Sequence, residues 1–447
     1  MSTTTPETTR FDAFEAQVRE LARKAPPVRM SDEERVRRAK RVMIERLDSR
    51  TAMDLETCVH CGMCAEACHF YESTQDPKYT PVHKVYLLRK VYRREISPVR
   101  WLNRLVMRDI SAKDLEEWQE LLFNSCTECG RCDLMCPMGI HLTKGIRVAR
   151  QALTAAGYMP PELRAIEDEQ ASRNTLFGVG GAELREAVAE LNAAGADIPI
   201  DRDKADVLLL STVSDILLYR DSLKATAKIL NRLGVNWTIR SDGFEASNFG
   251  FLSGDDDGQV KETRRIVDVA KAVGAKLVIV PECGHAYPAL RFEAPNKLGE
   301  NLPFEVMAIS EYIGREVTQG RLKLKKGADG KRITYHDPCK LGRHGGIFDE
   351  PRAAIAAMGY DFREMESHGK TQYCCGGGGG VFLLGGSDTL RRRTFDIKAR
   401  QVDDTGADAV VTSCDSCRMT LASGGKRVNW DKSVESLVEL VADHLAD

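Results

Sequence analysis

The chain has 447 residues, with 64 basic against 66 acidic side chains and a net charge of −2. Its length accommodates two or three domains with cores of their own, and its balanced charge argues against a nucleic-acid partner. Fourteen cysteines would mean disulfides in a secreted protein, but Met1-Ser2-Thr3-Thr4-Thr5-Pro6 has no basic-then-apolar leader. Arg37-Arg38 opens no apolar run, and apolar runs such as Val207–Leu210 and Leu277–Val280 are too short to span a bilayer. The cysteines therefore read as metal ligands or catalysts in a reducing cytoplasm.

Residues 1 to about 10 are polar and Thr-rich and read as disordered. From Ser31 to Ser49 the spacing of Val36, Val42, Met43 and Leu47 predicts a surface helix, so residues 1–50 form a tail and helix. Then Cys58-x2-Cys61-x2-Cys64-x3-Cys68 is repeated as Cys126-x2-Cys129-x2-Cys132-x3-Cys136-Pro137, the bacterial ferredoxin run written twice. In that arrangement three thiolates converge on one cubane and the fourth reaches the other. Cys58, Cys61, Cys64 and Cys136 are thus assigned to one [4Fe–4S] cluster, and Cys126, Cys129, Cys132 and Cys68 to the second. The first run ends in His69 where proline is usual, a departure that leaves all eight ligands in place.

Between the runs, Lys84 to Arg108 carries eight basic residues against Glu95, interleaved with Leu87, Leu88, Val91, Tyr92, Trp101, Leu102 and Leu105. The pattern is amphipathic and helical. It is either a solvated face or a docking face for a membrane or an acidic partner. An insert this wide also predicts a mainly helical two-cluster domain over residues 51–160, ended by Gly157-Tyr158-Met159-Pro160-Pro161, with a mixed helical linker over 161–203.

From Lys204 the pattern changes to α/β. Strands are expected at Val207–Leu210 and Leu277–Val280, helices at Ser222–Leu233 and Val260–Val273. The same order returns after Lys331: strands Ile333–His336 and Ala409–Thr412, helices Pro351–Met358 and Asp388–Asp403. Gly274–Val280 aligns with Gly406–Thr412, which marks residues 204–320 and 331–447 as two repeated halves with parallel strands and right-handed crossovers. Ligands in such units sit at the carboxyl ends of strands, where Cys339 and Cys414 fall.

The second half holds Cys339, the pair Cys374-Cys375-Gly376 running on to Gly380, and Cys414-x2-Cys417. Glycines without Cβ bring backbone N–H groups close to an anionic or sulfur-rich ligand. A structural zinc site wants four thiolates and has no use for an adjacent pair. The first half has Pro281-Glu282-Cys283-Gly284-His285-Ala286 opposite Cys414–Cys417, and only Ala246–Gly250 opposite the cysteine pair. It keeps the scaffold and has lost the thiolates. Cys283 is either a core residue or, with Glu282 and His285 beside it at a strand end, a functional one.

Two ferredoxin runs followed by C…CCG…CxxC resemble the CCG-domain iron–sulfur oxidoreductases, over nearly the whole chain after residue 50. That family includes the catalytic subunit of heterodisulfide reductase (HdrD) and DsrK, and iron–sulfur subunits of glycolate, lactate and glycerol-3-phosphate oxidation. The resemblance implies an α + α/β chain, a helical two-cluster ferredoxin domain followed by two CCG-type halves. It implies two cubane [4Fe–4S] clusters and one noncubane [4Fe–4S] cluster on Cys339, Cys374, Cys375, Cys414 and Cys417. It also implies a disulfide reductase-type enzyme passing electrons between a membrane quinone-linked cytochrome b-type subunit and a disulfide or trisulfide, on a small sulfur-carrier protein or a thiol. Such a chain would sit in the cytoplasm, peripheral on the inner face of the membrane. One complete motif and one degenerate motif look more like DsrK than like forms with two full motifs. Reducing a disulfide takes two electrons while a cubane delivers one, and a five-thiolate cluster is suited to that mismatch. Cys283 and His285 are expected near the sulfur substrate. The alternative is an electron-transfer subunit of a 2-hydroxyacid or glycerol-3-phosphate dehydrogenase.

Overall fold

The computed structural model describes residues 7–327 and 330–446. Helix α1 (Glu7–Lys24) occupies a stretch that the sequence reading left partly disordered; residues 1–6 lie outside the described residues. Its amphipathic pattern buries Phe14 and Val18, and it packs against helices of both the linker and the C-terminal half. Helix α2 (Asp32–Arg46) starts as its sequence demands: the Ser31 hydroxyl accepts from the Glu34 amide, and three acidic residues fill the first turn.

The ferredoxin region is helical throughout, built from short helices, among them α3 (Arg100–Val106), around the long α4 (Leu142–Ala155). Helix α4 is buried on most of its circumference, by Leu142, Ile146, Val148, Ala149, Ala152 and Leu153, and packs lengthwise on α2. Gly145 lets α4 approach a different neighbour, the Val85–Leu88 segment: a Cβ there would stand 3.2 Å from Val85 Cγ1. The expected linker holds two helices, α5 (Pro161–Arg173) and α6 (Gly181–Ala193). Leu163, Ile166, Leu184 and Val188 are buried in the same core as the ferredoxin helices.

Two four-stranded parallel sheets follow. The first comprises β1 (Val207–Leu209), β2 (Trp237–Thr238), β3 (Leu277–Val280) and β4 (Glu305–Ala308), in the order β2-β1-β3-β4. The second comprises β5 (Arg332–His336), β6 (Asp361–Phe362), β7 (Ala409–Thr412) and β8 (Ser433–Ser436), in the order β6-β5-β7-β8. Identical order confirms the internal repeat. The central strands are buried Val, Leu and Ile runs, as parallel strands covered on both faces require. Helices α7 (Arg220–Arg232), α8 (Asp256–Val273), α9 (Ile309–Thr318), α10 (Asp349–Met358), α11 (Asp388–Asp403) and α12 (Asp415–Val428) lie on the sheets. The halves meet at their strand ends, where the Asp415 amide donates to the Glu282 carbonyl at 2.7 Å.

Where α5 meets the first half, burial pushes the Glu167 carboxyl up to about 8, against a hydrogen bond from Ser253. The folded state therefore holds a proton that the unfolded chain releases near pH 4. This contribution is complete below the ordinary glutamate pKa and is lost as pH rises to about 8. Thermal melts are expected to show Glu167→Gln flattening the decline of stability between pH 5 and 8; parallel curves for the two proteins would refute this.

Candidate redox centre

Both ferredoxin runs fold into the same local shape. The second residue after the leading cysteine takes a left-handed conformation in each, His60 (φ 55°) and Glu128 (φ 51°). So does the glycine after the second cysteine, Gly62 (φ 84°) and Gly130 (φ 75°). This alternation turns successive amides inward, the geometry that favours anionic sulfur. The Val82 amide donates to the Cys64 sulfur, the Glu128 amide to Cys126 and the Arg131 amide to Cys129.

Cys58, Cys61, Cys64 and Cys136 line one cavity, closed by Pro137 and Val82. Cys126, Cys129, Cys132 and Cys68 line another. In each cavity three cysteines come from one run and the fourth from the other. Burial and the neighbouring sulfurs push the Cys64 and Cys129 thiols up to about 11. Four sulfurs held together without disulfides, at this cost, fit a cationic iron cluster that removes the penalty. The first quartet lies at the surface, with Cys61 exposed, while Cys126 and Cys132 are buried.

The five cysteines of the second half converge as well. Cys339 hydrogen-bonds Cys374, Cys374 bonds Cys375, Cys375 bonds Cys417, and Cys417 bonds Cys414. All five are buried. Their partners hold Cys374 and Cys414 low and push Cys339, Cys375 and Cys417 well up. Amides again point at sulfur: Gly376 N donates to Cys374 Sγ at 3.5 Å, Gly377 N to Cys375 and Gly284 N to Cys414. The donor set, five thiols with backbone N–H groups and the buried Lys398 ammonium beside them, fits an iron–sulfur cluster.

The glycine run seats this site on the second quartet. A Cβ on Gly379 (φ 63°) would lie 3.0 Å from the Thr127 carbonyl carbon and 3.1 Å from the Cys126 oxygen. The Thr127 hydroxyl bonds Cys374, and Cys129 packs against the five-cysteine cluster. The three cysteine groups therefore run in order from an exposed quartet, through a buried one, to the five-cysteine site.

Arg150 of α4 locks the order in place. Its buried guanidinium donates to Leu122 O (2.8 Å), Cys126 O (2.7 Å), Leu252 O (2.6 Å) and Gly379 O (2.9 Å), joining the ferredoxin region to both halves. Arg343 adds a bond to Cys129 O at 2.7 Å. Neither residue stands in a cysteine motif, and sequence reasoning missed both.

The degenerate half faces the site. Gly284 is so close that a Cβ would lie 3.1 Å from Cys414 Sγ. His285 lines the same cavity as Cys339, Cys375, Cys414 and Cys417, beside Lys340, Leu252 and Phe382. Its Nδ1 is 3.5 Å from Cys283 Sγ, and its buried Nε2 has no hydrogen-bond partner. Burial lowers His285 to about 4 and pushes the Cys283 thiol well up. Glu282, raised to about 8 by burial, is bonded to Ser436 at 2.7 Å and braces the loop from the far side.

Three further residues went unread. His336, at the end of β5, has a ring nitrogen within 4.8 Å of both Cys375 and Cys417 sulfurs, and neither of its nitrogens is hydrogen-bonded. Lys398 is buried beside Cys374 and Cys375, lowered to about 8 by burial. His69, the departure from proline, is buried against Cys374 and lowered to about 4. Their signal was weak: one lies in His336-Asp337-Pro338-Cys339, one in a helix and one after a cysteine run.

The basic segment Lys84–Arg108 is not uniformly a solvated face. Lys84 is 1% exposed and bonds Ser125 O. Arg108 forms two bonds with Asp114, Arg104 pairs with Glu95 at 2.6 Å, and Arg94 donates to the Met107 and Arg104 carbonyls. Among the described residues, only Arg93 and Arg100 of the eight lack a side-chain partner of this kind. What the segment does expose is apolar: Trp101 (66%), Leu105 (77%) and Val106 (72%) on α3.

Comparison with known proteins agrees with this geometry. Residues 54–140 match the 4Fe-4S dicluster domain, and residues 333–422 match the CCG cysteine-rich domain. The chain thus joins a 4Fe-4S dicluster domain to a CCG cysteine-rich domain. Among its relatives is a polypeptide of the dihydromethanophenazine:CoB–CoM heterodisulfide reductase of Methanosarcina mazei, 29% identical over 88% of this chain and 94% of that one. The "Hdr-like menaquinol oxidoreductase iron-sulfur subunit 2" of Archaeoglobus fulgidus is 28% identical over 78% and 70%. The "EtfAB:quinone oxidoreductase" of Syntrophomonas wolfei is 26% identical over 88% and 58%. No helix among the described residues is long and apolar enough to cross a membrane.

Proposed function

We propose that this chain passes electrons between a membrane quinone-linked cytochrome b-type subunit and a disulfide or trisulfide, carried by a small sulfur-carrier protein or a thiol. The observation that supports it most is the ordered series of cysteine groups, ending at five thiols beside His285. Two cubane [4Fe–4S] clusters belong on the quartets and one noncubane [4Fe–4S] cluster on Cys339, Cys374, Cys375, Cys414 and Cys417. Bound there, they supply one-electron transfer and an iron able to take sulfur.

The protein's own residues hold the proton. Cys283 stays a thiol and His285 a neutral imidazole at neutral pH. Cys283 Sγ donates towards His285 Nδ1, and His285 Nε2 is left to donate to a departing sulfur. Arg352 holds Asp337 at 2.8 and 3.0 Å, fixing the turn that aims Cys339. The cavity beside His285 is lined by four of the five cysteines, so a sulfur taken by the iron there would lie next to that ring.

The burial of all five cysteines also favours a second reading, an electron-transfer subunit serving a glycolate, lactate or glycerol-3-phosphate flavoprotein. Reduced viologen and an aliphatic disulfide, added anaerobically to the iron-loaded chain, separate the two. Thiol release supports disulfide chemistry; cluster reduction without thiol release supports the second reading.

The surface of α3 is read as the contact with the membrane complex at the inner face of the membrane, with the chain otherwise in the cytoplasm. Trp101→Glu with Leu105→Glu is expected to release the chain from the membrane fraction, because two exposed apolar anchors are lost. Reversing Arg93 and Arg100 is expected to weaken association only at low salt. Retention of the double variant on membranes would exclude α3 as the contact.

A further inference from the structure

A cavity of about 230 Å³ lies against the first quartet, with Cys58 in its wall. Leu55, Val85, Ile140 and Met107 make it predominantly apolar, and Arg89 and Arg93 stand in its lining. None of these residues belongs to the five-cysteine site. Gly145 contributes to the same wall, so the empty space continues to the buried side of α4.

Three features specify what the cavity accepts. An apolar lining of this size selects a ring system or short hydrocarbon over an ion. The cationic donors want hydrogen-bond acceptors: Arg93 has no side-chain partner among the described residues, and Arg89, whose guanidinium pairs with His60 in the same lining, leaves its Nε buried without an acceptor. Contact with Cys58 places the occupant beside a cysteine assigned to an iron–sulfur cluster. A molecule that is planar, apolar, carbonyl-bearing and redox-active satisfies all three.

Met107, in the cavity wall, is also the cap of α3, the helix that exposes Trp101, Leu105 and Val106. The Arg94 guanidinium ties that helix to the wall through Met107 O at 2.6 Å, and Asn103 does so through Arg93 O at 2.8 Å. With α3 on the membrane complex, as proposed above, the cavity lies next to that contact.

We infer that this cavity is a binding site for a quinone-class ring, its carbonyl oxygens held by Arg89 and Arg93 and its edge against Cys58. The inference rests on the electron-transfer reading but adds a ligand seat in this chain itself, rather than only in a partner subunit.

The test uses the full chain, purified anaerobically with its iron, and an azido-naphthoquinone that labels its contacts on illumination. Adducts are expected in residues 55–58, 82–93 and 140–145, displaced by excess 2,3-dimethyl-1,4-naphthoquinone. Ile140→Trp, which fills the cavity, and Arg89→Gln, which removes a donor, are each expected to reduce labelling by about tenfold, the effect of losing one good contact. Should Ile140→Trp fail to hold iron, Arg89→Gln and the competition in the unmodified chain decide. Adducts elsewhere, labelling that the competitor does not displace, or a cavity that labels only after a bound partner is stripped away would each overturn the inference. The last result would mean that a partner segment fills the space. None of these readings depends on thiol release from a disulfide, so failure here and failure of the disulfide chemistry are separate results.

Discussion

Replacing Cys375 with alanine is expected to abolish disulfide reduction while the signals of the two ferredoxin-type quartets persist. Cys375 is the middle sulfur of the five, bonded to both Cys374 and Cys417, and is 1% exposed. Its loss breaks the chain of thiols into two pairs. An iron–sulfur centre depends on its thiolates, so the remaining four, spread over three loops, are expected to release their iron. Anaerobic iron and sulfide analysis should then fall from about twelve irons per chain to about eight. Full disulfide turnover by Cys375→Ala would refute the site. In the unmodified chain, a value near sixteen would mean that the degenerate half also carries a cluster, against the absence of thiolates other than Cys283 from its loops. A value near eight would mean that the five-cysteine site binds none.

Arg150→Met is expected to be the most destabilising single change outside the cysteines. The guanidinium is 1% exposed and donates to four backbone carbonyls from three segments. Glu128 lies 3.8 Å away, and Arg150 is the first of its counter-charges. Each orphaned buried acceptor costs about 1–3 kcal/mol, and removing one partner of a buried ion pair costs about 3–5 kcal/mol. The sum is not additive, but a loss of at least about 3–5 kcal/mol follows. Thermal unfolding followed by circular dichroism checks it. The same change frees the Gly379 carbonyl, so electron passage from the second quartet to the five-cysteine site is expected to slow even in protein that remains folded. A melting temperature within a degree or two of the unmodified chain would show that water or a neighbour replaces the guanidinium.

The ferredoxin runs were legible because thiolate spacing is itself geometry: x2 between cysteines permits little but a shared cluster. The repeat was legible because parallel strands covered on both faces must be continuous apolar runs. Leu277–Val280 and Ala409–Thr412 stand where the pattern put them. The edge strands were not, since β2 is two residues long and β8 is Ser-Val-Glu-Ser, too short or too polar to carry a signal. Helix α1 was hidden because a Thr-rich opening masks the apolar spacing of Phe14 and Val18. The charge of Lys84–Arg108 misled for a related reason, because its acidic partners Asp109 and Asp114 lie just beyond the segment.

By itself, then, the sequence determined that the chain carries two ferredoxin-type cysteine runs, that two halves share one scaffold, and that only one half keeps a five-cysteine set. Those properties follow from residue type and spacing along a single strand or loop. Tertiary structure alone decided that Arg150 joins the three regions and that His69, His336 and Lys398 surround the five sulfurs. Each of these contacts spans from tens to hundreds of residues, and a side chain's partner at that separation is set by how helices and sheets pack, which no local pattern records.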